Sequence, residues 1–262
     1  DKKAKEVAPF IVSASIALID KVATKFLPTS VRFTYFWTMR EMTNLFQNMC
    51  LSKDKYYGTG DSLAKLWTHE CRRVLADRLI TIDETKIIDE MISECHADHL
   101  KKQGVSDDVL LNDAENANLF TTFTAAEPDG AYRPIADLAT LSKVLEAKLV
   151  EYNESQAMMD LVLFDDAMSH ITRIARIISN PAGNAMLIGV GGSGKQSLTK
   201  LAAFIAGYET KQLEVTSAYS EADFKEDIKL FYTLCCSKDT PMVLLMTDSQ
   251  IVNERFLIYI NA

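Results

Sequence analysis

Residues Gly189 to Lys195 read Gly-Val-Gly-Gly-Ser-Gly-Lys. The spacing of Gly189, Gly194 and Lys195 is that of a phosphate-cradling P-loop, G-x-x-x-x-G-K, which works only where a strand feeds it and a helix leaves it. Backbone amides must point at the bound oxygens, glycines let the chain curl closely enough, and the helix N-terminus adds partial positive charge. Both flanks are legible. Ala185 to Gly189 is a short apolar run expected to be a strand, and Leu198, Leu201 and Ile205 recur at helical spacing beyond the loop. An α/β fold is therefore required around this point.

The alternation continues downstream with a short strand at Gln212 to Thr216, then a helix opened by Ser220 with Asp223 three residues on. A strand at Met242 to Thr247 and a last helix from about Asn253 follow, the order of a parallel sheet flanked by helices. Upstream the pattern is helical, at Leu138, Leu141, Val144, Leu145 and Leu149 and again from Met158 to Ile178. The first hundred residues are helical almost throughout. The apolar run Phe10 to Ile19 is too short to span a bilayer and its periodicity continues through Val22, Ala23, Phe26 and Leu27, so it is expected to face a core. Pro28 to Ser30 break the pattern, and the aromatic and β-branched stretch Val31 to Phe36 is expected to be extended. Thr38 and Glu41 form a capping box. Past a loop at Ser52 to Asp61, helical spacing returns at Leu63, Leu66, Trp67, Val74, Leu75 and Leu79, and at Ile87, Ile88, Met91, Ile92 and Cys95. Between about Gly104 and Pro134 small polar residues take over, with Glu127-Pro128-Asp129-Gly130 as a turn signal. The expected organisation is an all-α helical subdomain at 1–103, a connector at 104–135, and a partial α/β domain with an incomplete parallel sheet at 136–262.

Composition narrows the partners. A net charge of −8 and pI near 5.1 exclude a generic polyanion-binding surface, so neither nucleic acid nor an anionic membrane is expected to bind in bulk. The five cysteines, Cys50, Cys71, Cys95, Cys235 and Cys236, show no C-x-x-C spacing and are expected as free thiols in a reducing, cytoplasmic setting. Cys95, His96 and His99, with His69 and Cys71, invite a zinc reading, but no second half-site is visible and surface histidines on a helix are expected instead. Ser193 does not make an esterase elbow, because the second glycine of G-x-S-x-G would have to be at 195, which is lysine. Asp165 and Asp166 suit the first turn of a helix, and Cys235 and Cys236 are expected to pack in a core.

The loop departs from its usual form at two chemically informative positions. The residue after the lysine is normally Ser or Thr, whose hydroxyl binds the Mg²⁺ bridging the terminal phosphates. Here it is Gln196, with Ser197 displaced by one. A nucleotide, ATP or ADP, is thus expected on Gly189, Val190, Gly191, Gly192, Ser193, Gly194, Lys195, Gln196 and Ser197, with Mg²⁺ binding weakened. Asp248, ending the strand Val243 to Thr247, is the candidate for holding Mg²⁺ through water. Ser249 stands where hydrolysing proteins usually carry the glutamate that polarises the attacking water, so no catalytic residue is assigned.

With those residues in hand, the chain resembles the heavy chains of dynein, and the axonemal type in particular. The stretches LVLFDDAMSHITRIARII (161–178), GVGGSGKQSLTKLAAFI (189–205) and LLMTDSQI (244–251) resemble the start of the fourth AAA+ module of the motor ring. FLPTSVRFTYFWTMREMTNLFQNM (26–49) and CRRVLADRLI (71–80) resemble the helical lid of the third module. The resemblance implies that Val162, Leu163 and Phe164 lie on the adenine, and that Arg40 is the lid arginine reaching the nucleotide of the preceding module. It also implies a ring of six modules in an ATP-driven, minus-end-directed microtubule motor of the ciliary or flagellar axoneme. The partners would be the remaining AAA+ modules of the same chain, other axonemal dynein chains and, through a stalk not included here, microtubules. Sensor-1, the arginine finger, the stalk and the linker are expected to lie outside these residues. On the residues alone, a stand-alone P-loop NTPase or kinase and a scaffold with an empty loop remain open, although no N-K-x-D motif and no acceptor site are seen.

Overall fold

The computed structural model describes residues 4–111, 119–124, 130–135, 137–238 and 240–261; the turn expected at Glu127, Pro128 and Asp129 lies outside them. The chain divides into two compact units, Asp1–Leu141 and Ser142–Ala262.

The first unit is a helical bundle of α1 (Ala4–Lys25), α2 (Met39–Met49), α3 (Gly60–Cys71) and α4 (Ile82–Cys95). The last two run on into wider π-type turns, Arg72–Ala76 and His96–Leu100. In α1 the buried residues Val7, Ile11, Ala14, Ser15, Leu18, Ile19 and Val22 form one stripe, packed against α3 and α4. Each fully buried Val, Leu or Ile in it contributes about 1.5–3 kcal/mol. By length and composition α1 could also cross a membrane, with a mean hydropathy of 1.6 over its most apolar window. The bundle accounts for that apolarity, and for the serine inside it. Ser15 Oγ donates to Ile11 O at 2.7 Å and accepts from Trp67 Nε1 at 2.9 Å, so the buried indole N–H has a partner.

Capping defines the helix starts. Glu41 folds back onto the Thr38 N–H at 2.6 Å, as its spacing requires, and Thr81 with Glu84 repeats the box at α4. The segment Val31 to Phe36 is not extended; it bends and turns. Its aromatic residues build a cage instead of a ladder: Tyr35 is fully buried and lies 6.1 Å from Phe26 and 6.2 Å from Trp37. Trp37 Nε1 donates to Phe26 O at 2.8 Å, and Arg78 donates to Phe36 O at 3.0 Å while stacking on Trp37.

A two-residue hairpin, β1 (Phe120–Thr121) with β2 (Arg133–Pro134), is antiparallel, Phe120 facing Pro134. It packs onto the bundle through buried groups. Tyr57 OH donates to Tyr132 O at 2.6 Å, and Tyr132 OH meets His69 Nε2 at 2.8 Å. His69 and His96 are thus core residues and His99 is half-buried, which corrects the expectation of surface histidines. The helix faces carrying His69 and His96 are the packed ones, a matter of partner elements far away in sequence.

The second unit holds α5 (Leu138–Ser155), at whose start the division falls, α6 (Asp165–Ile178), α7 (Lys195–Ile205), β3 (Glu209–Gln212), α8 (Glu221–Lys238), β4 (Met242–Leu245) and α9 (Phe256–Asn261). β3 and β4 pair in parallel, Glu209 opposite Met242 and Gln212 opposite Leu245. The first strand therefore sits earlier than the expected 212–216. The residues beyond it carry the apolar contact to α8 and α9, where Leu213 joins Phe224 and Phe256, whose rings stack at 4.3 Å. Helix α6 starts at Asp165, not Met158; Met158, Val162 and Phe164 are 88 %, 76 % and 60 % exposed and have no surface to bury a helical face against. The acidic pair Asp165 and Asp166 does occupy the first turn. Ser220 and Asp223 cap α8, Asp223 accepting from the Ser220 N–H at 2.8 Å. Cys236 is exposed and Cys235 half-buried, so the pair is not core as expected; all five cysteines are free.

Candidate functional site

The run Ala185 to Gly189 is not part of a ladder. Its period of two is nevertheless visible, because Met186 and Ile188 point outward at 77 % and 73 % exposure while Ala185 and Leu187 are half-buried. The strand signal described the local conformation, but pairing needs a neighbour, and no described residue hydrogen-bonds alongside. The chain enters this stretch through a reversal after α6, where the Asn180 N–H donates to Ile177 O at 3.2 Å and the Gly183 N–H to Asn180 O at 2.9 Å. A Cβ on Gly183 would lie 1.8 Å from Ile177 O, so only glycine permits that approach.

The loop itself has the shape its glycines allow. Gly192 and Gly194 both adopt φ of +77°, a left-handed conformation open to glycine without strain, and Gly194 is the N-cap of α7. Such alternation turns successive N–H groups toward one concavity. Lys195, the first residue of α7, folds its ammonium back over the loop, donating to Gly189 O at 2.9 Å, Val190 O at 2.6 Å and Ser193 Oγ at 3.1 Å. The loop residues Gly189 to Ser193 are exposed, with Gly194, Lys195 and Ser197 half-buried. An exposed loop, a helix N-terminus and one cation thus come together, the kind of donor set that a polyphosphate takes.

The topology gathers most of the sequence candidates at one edge. Helix α7 is about 16 Å long and reverses through Gly207, the Tyr208 N–H donating to Ala203 O at 2.9 Å, before entering β3 and packing on β3 and β4. Its N-terminus and the loop therefore lie toward the carboxyl ends of the strands, where parallel α/β sheets place ligands. Asp248 follows β4 at that same edge and is exposed. Phe164 is the N-cap of α6, which packs along α7. Val162 and Leu163 come immediately before Phe164, Val162 exposed and Leu163 half-buried. Arg40 belongs to the first unit; it is exposed at the second position of α2, its N–H donating to Thr38 Oγ1 at 3.2 Å.

Two positioning residues were not singled out from sequence. Gln250 is buried; its Oε1 accepts from the Thr247 N–H at 2.8 Å and its Nε2 donates to Leu213 O at 2.6 Å. That bridge ties the turn carrying Asp248 to the chain leaving β3. The signal was present as Thr247-x-x-Gln250, a capping-box spacing. Thr199 is the other, its hydroxyl donating to Lys195 O at 2.8 Å inside α7. Among the described residues no three His, Cys, Asp or Glu side chains converge as metal ligands.

Comparison with known proteins gives the family. Residues 159–262 match the family described as P-loop containing dynein motor region D4, and residues 11–112 match the AAA+ lid domain. The chain is similar to the dynein alpha chain of the flagellar outer arm of Chlamydomonas reinhardtii, 41 % identical over 251 residues, and to the corresponding beta chain, 44 % identical over 254. Each alignment covers 96 % of this chain and 6 % of the relative. It is also 38 % identical over 257 residues to dynein axonemal heavy chain 17 of Homo sapiens, covering 98 % of this chain and 6 % of that protein. The chain thus spans only about a sixteenth of the length of the relatives it matches. With a lid, a P-loop and a parallel sheet edge in that order, the chain belongs to the axonemal dynein heavy-chain family, as a segment of its AAA+ motor region.

Proposed function

We propose that residues Gly189 to Ser197 hold the phosphates of ATP or ADP, that turnover there is slow or nil, and that the bound nucleotide regulates a larger AAA+ ring. The single observation carrying this reading is the left-handed pair Gly192 and Gly194 at the head of α7, with the Lys195 ammonium drawn over the loop. Phosphate oxygens would replace the carbonyls that Lys195 now contacts. Val162 and Phe164, both exposed, and the half-buried Leu163 supply apolar surface for an adenine. Ser249, hydrogen-bonded through its hydroxyl to Thr247 at 2.9 Å, has no carboxylate with which to take a proton from water. Arg40 would serve the nucleotide of the preceding module.

In this reading the parent protein is an ATP-driven, minus-end-directed microtubule motor of the cytoplasmic cytoskeleton, working in the axoneme of a cilium or flagellum. Its partners are the remaining modules of its own chain, other axonemal dynein chains and microtubules. The similarity to flagellar outer-arm and axonemal chains supports that assignment. The test measures nucleotide binding and turnover separately on the intact protein. Binding that is lost in Lys195→Ala, without a Lys195-dependent share of hydrolysis, is the expected result. Rapid Lys195-dependent hydrolysis refutes the holding role, and absence of binding favours a scaffold.

A further inference from the structure

The residues around the loop do not fit the Mg²⁺ ion that ordinarily accompanies a nucleotide in a P-loop. Mg²⁺ demands a compact octahedron with oxygens about 2.0–2.1 Å away, and a P-loop normally contributes one short-stemmed hydroxyl to it. Hydroxyls of the loop, of α7 and of the turn after β4 already have partners. Ser193 Oγ accepts from Lys195 Nζ at 3.1 Å, Thr199 Oγ1 donates to Lys195 O at 2.8 Å, and Thr247 Oγ1 is paired with Ser249 Oγ at 2.9 Å. Ser197 is one residue past the usual position, so its side chain is rotated about 100° around the helix axis from it. Asp248 offers a carboxylate at this edge, after β4, and it would hold a metal through water. The position after the lysine is filled by Gln196, exposed on the first turn of α7, its side chain making no hydrogen bond to any described residue.

An amide differs from a hydroxyl in the way that matters here. Its carbonyl is a neutral acceptor on a longer, flexible stem, and the same group carries two N–H donors. Beside a polyphosphate the donors have the more favourable partner, because a hydrogen bond to an anionic oxygen is charge-assisted. We infer that Gln196 takes the place of the metal: its side-chain amide donates directly to a phosphate oxygen, and the site holds a nucleoside diphosphate or triphosphate without requiring Mg²⁺. This rests on the phosphate-binding reading above and adds the identity of a group that donates to the phosphates where a metal would otherwise contact them.

The experiment is equilibrium binding of ADP to the intact protein in millimolar Mg²⁺ and in excess EDTA. Subtraction of the Lys195→Ala variant isolates this site, and thermal melting confirms that each variant folds. Wild-type affinity should change by less than about threefold between the two buffers, and Gln196→Ala should weaken binding about tenfold in both. Gln196→Thr restores the hydroxyl; it should bind at least about tenfold more tightly with Mg²⁺ than with EDTA. Because Gln196 is exposed, neither substitution at 196 disturbs a core. A wild-type loss of about tenfold or more on removing Mg²⁺, or a Gln196→Thr variant as metal-indifferent as wild type, overturns the inference while leaving phosphate binding intact. Absence of Lys195-dependent binding in both buffers overturns the phosphate reading, and this inference with it.

Discussion

Tyr35→Phe removes one oxygen from the core of the helical unit and keeps the ring. The fully buried hydroxyl donates to Glu84 Oε2 at 2.7 Å and accepts from the Ile80 N–H at 2.9 Å. The first bond is charge-assisted and contributes about 1.5–3 kcal/mol; the second is neutral and contributes about 0.5–1.5 kcal/mol. Glu84 keeps Arg32, at 2.8 Å, and the Thr81 N–H, at 3.3 Å, so part of the loss is recovered. A net destabilisation of about 2–3 kcal/mol follows. Both tryptophans, Trp37 and Trp67, lie in this unit, so selectively excited tryptophan fluorescence of this 262-residue chain during urea denaturation reports its unfolding. With a slope of about 2 kcal/mol per molar urea, the midpoint should fall by about 1–1.5 M at unchanged slope. The junction also has a pH signature. Burial opposes ionisation of Glu84, but hydrogen bonds from Tyr35 and Thr81 and the nearby Arg32 outweigh it and hold the carboxyl below its ordinary value. A carboxylate depressed in the fold contributes stability that is present above its unfolded pKa and lost as pH falls through the folded one. The Tyr35→Phe penalty should therefore shrink toward acid, below about pH 4.5. A midpoint shift under about 0.3 M, or a penalty independent of pH down to full protonation, would refute this account of the junction.

Gly183→Ala should destabilise the second unit by more than about 2 kcal/mol, because its methyl would sit 1.8 Å from Ile177 O and the backbone must move; limited proteolysis comparing 142–262 with the lid would show selective loosening of the former. Gly194→Ala should cost about 1–2 kcal/mol for a left-handed alanine at φ +77°, and should impair ADP binding with no shift in the tryptophan-detected urea midpoint. Burial lowers the His96 pKa against the opposing pull of Asp107, whose carboxylate is 3.6 Å away. The unfolded chain then takes up the proton first, so lid stability should decline as pH drops below about 6.5, and His96→Leu should flatten that part of the midpoint-versus-pH curve; an unchanged curve would count against the burial argument. Gln250→Leu cuts the tie between the Asp248 turn and Leu213 O, leaves that carbonyl unpaired, and should cost about 1–3 kcal/mol in thermal unfolding of the second unit.

Local chemistry was readable from the residues alone. The loop at Gly189 to Lys195, the capping pairs Thr38 with Glu41 and Ser220 with Asp223, and the acidic first turn at Asp165 and Asp166 each depend on groups within a few positions of one another. Backbone sterics and short-range hydrogen bonds act at that range, so spacing was enough. The substitution at Gln196 was equally visible, because one side chain replaced another at a fixed offset from Lys195.

Other features were decided only by what came from far along the chain. Val31 to Phe36 carry strand-forming residues, yet Phe26, Trp37 and Arg78 turn them into an aromatic cage. Ala185 to Gly189 alternate as a strand does, but alternation specifies a conformation and hydrogen-bonded pairing requires a second strand. His69 and His96 have helix positions that periodicity leaves ambiguous; contact with Tyr132 and burial beside Asp107 made them core. Gln250 became a positioning residue only when β3 and β4 came into parallel register and set Leu213 O within 2.6 Å of its amide. Sequence specified the phosphate-loop chemistry because its groups are neighbours along the chain, whereas burial, strand pairing and the tie beneath Asp248 are long-range contacts that exist only after the chain has folded.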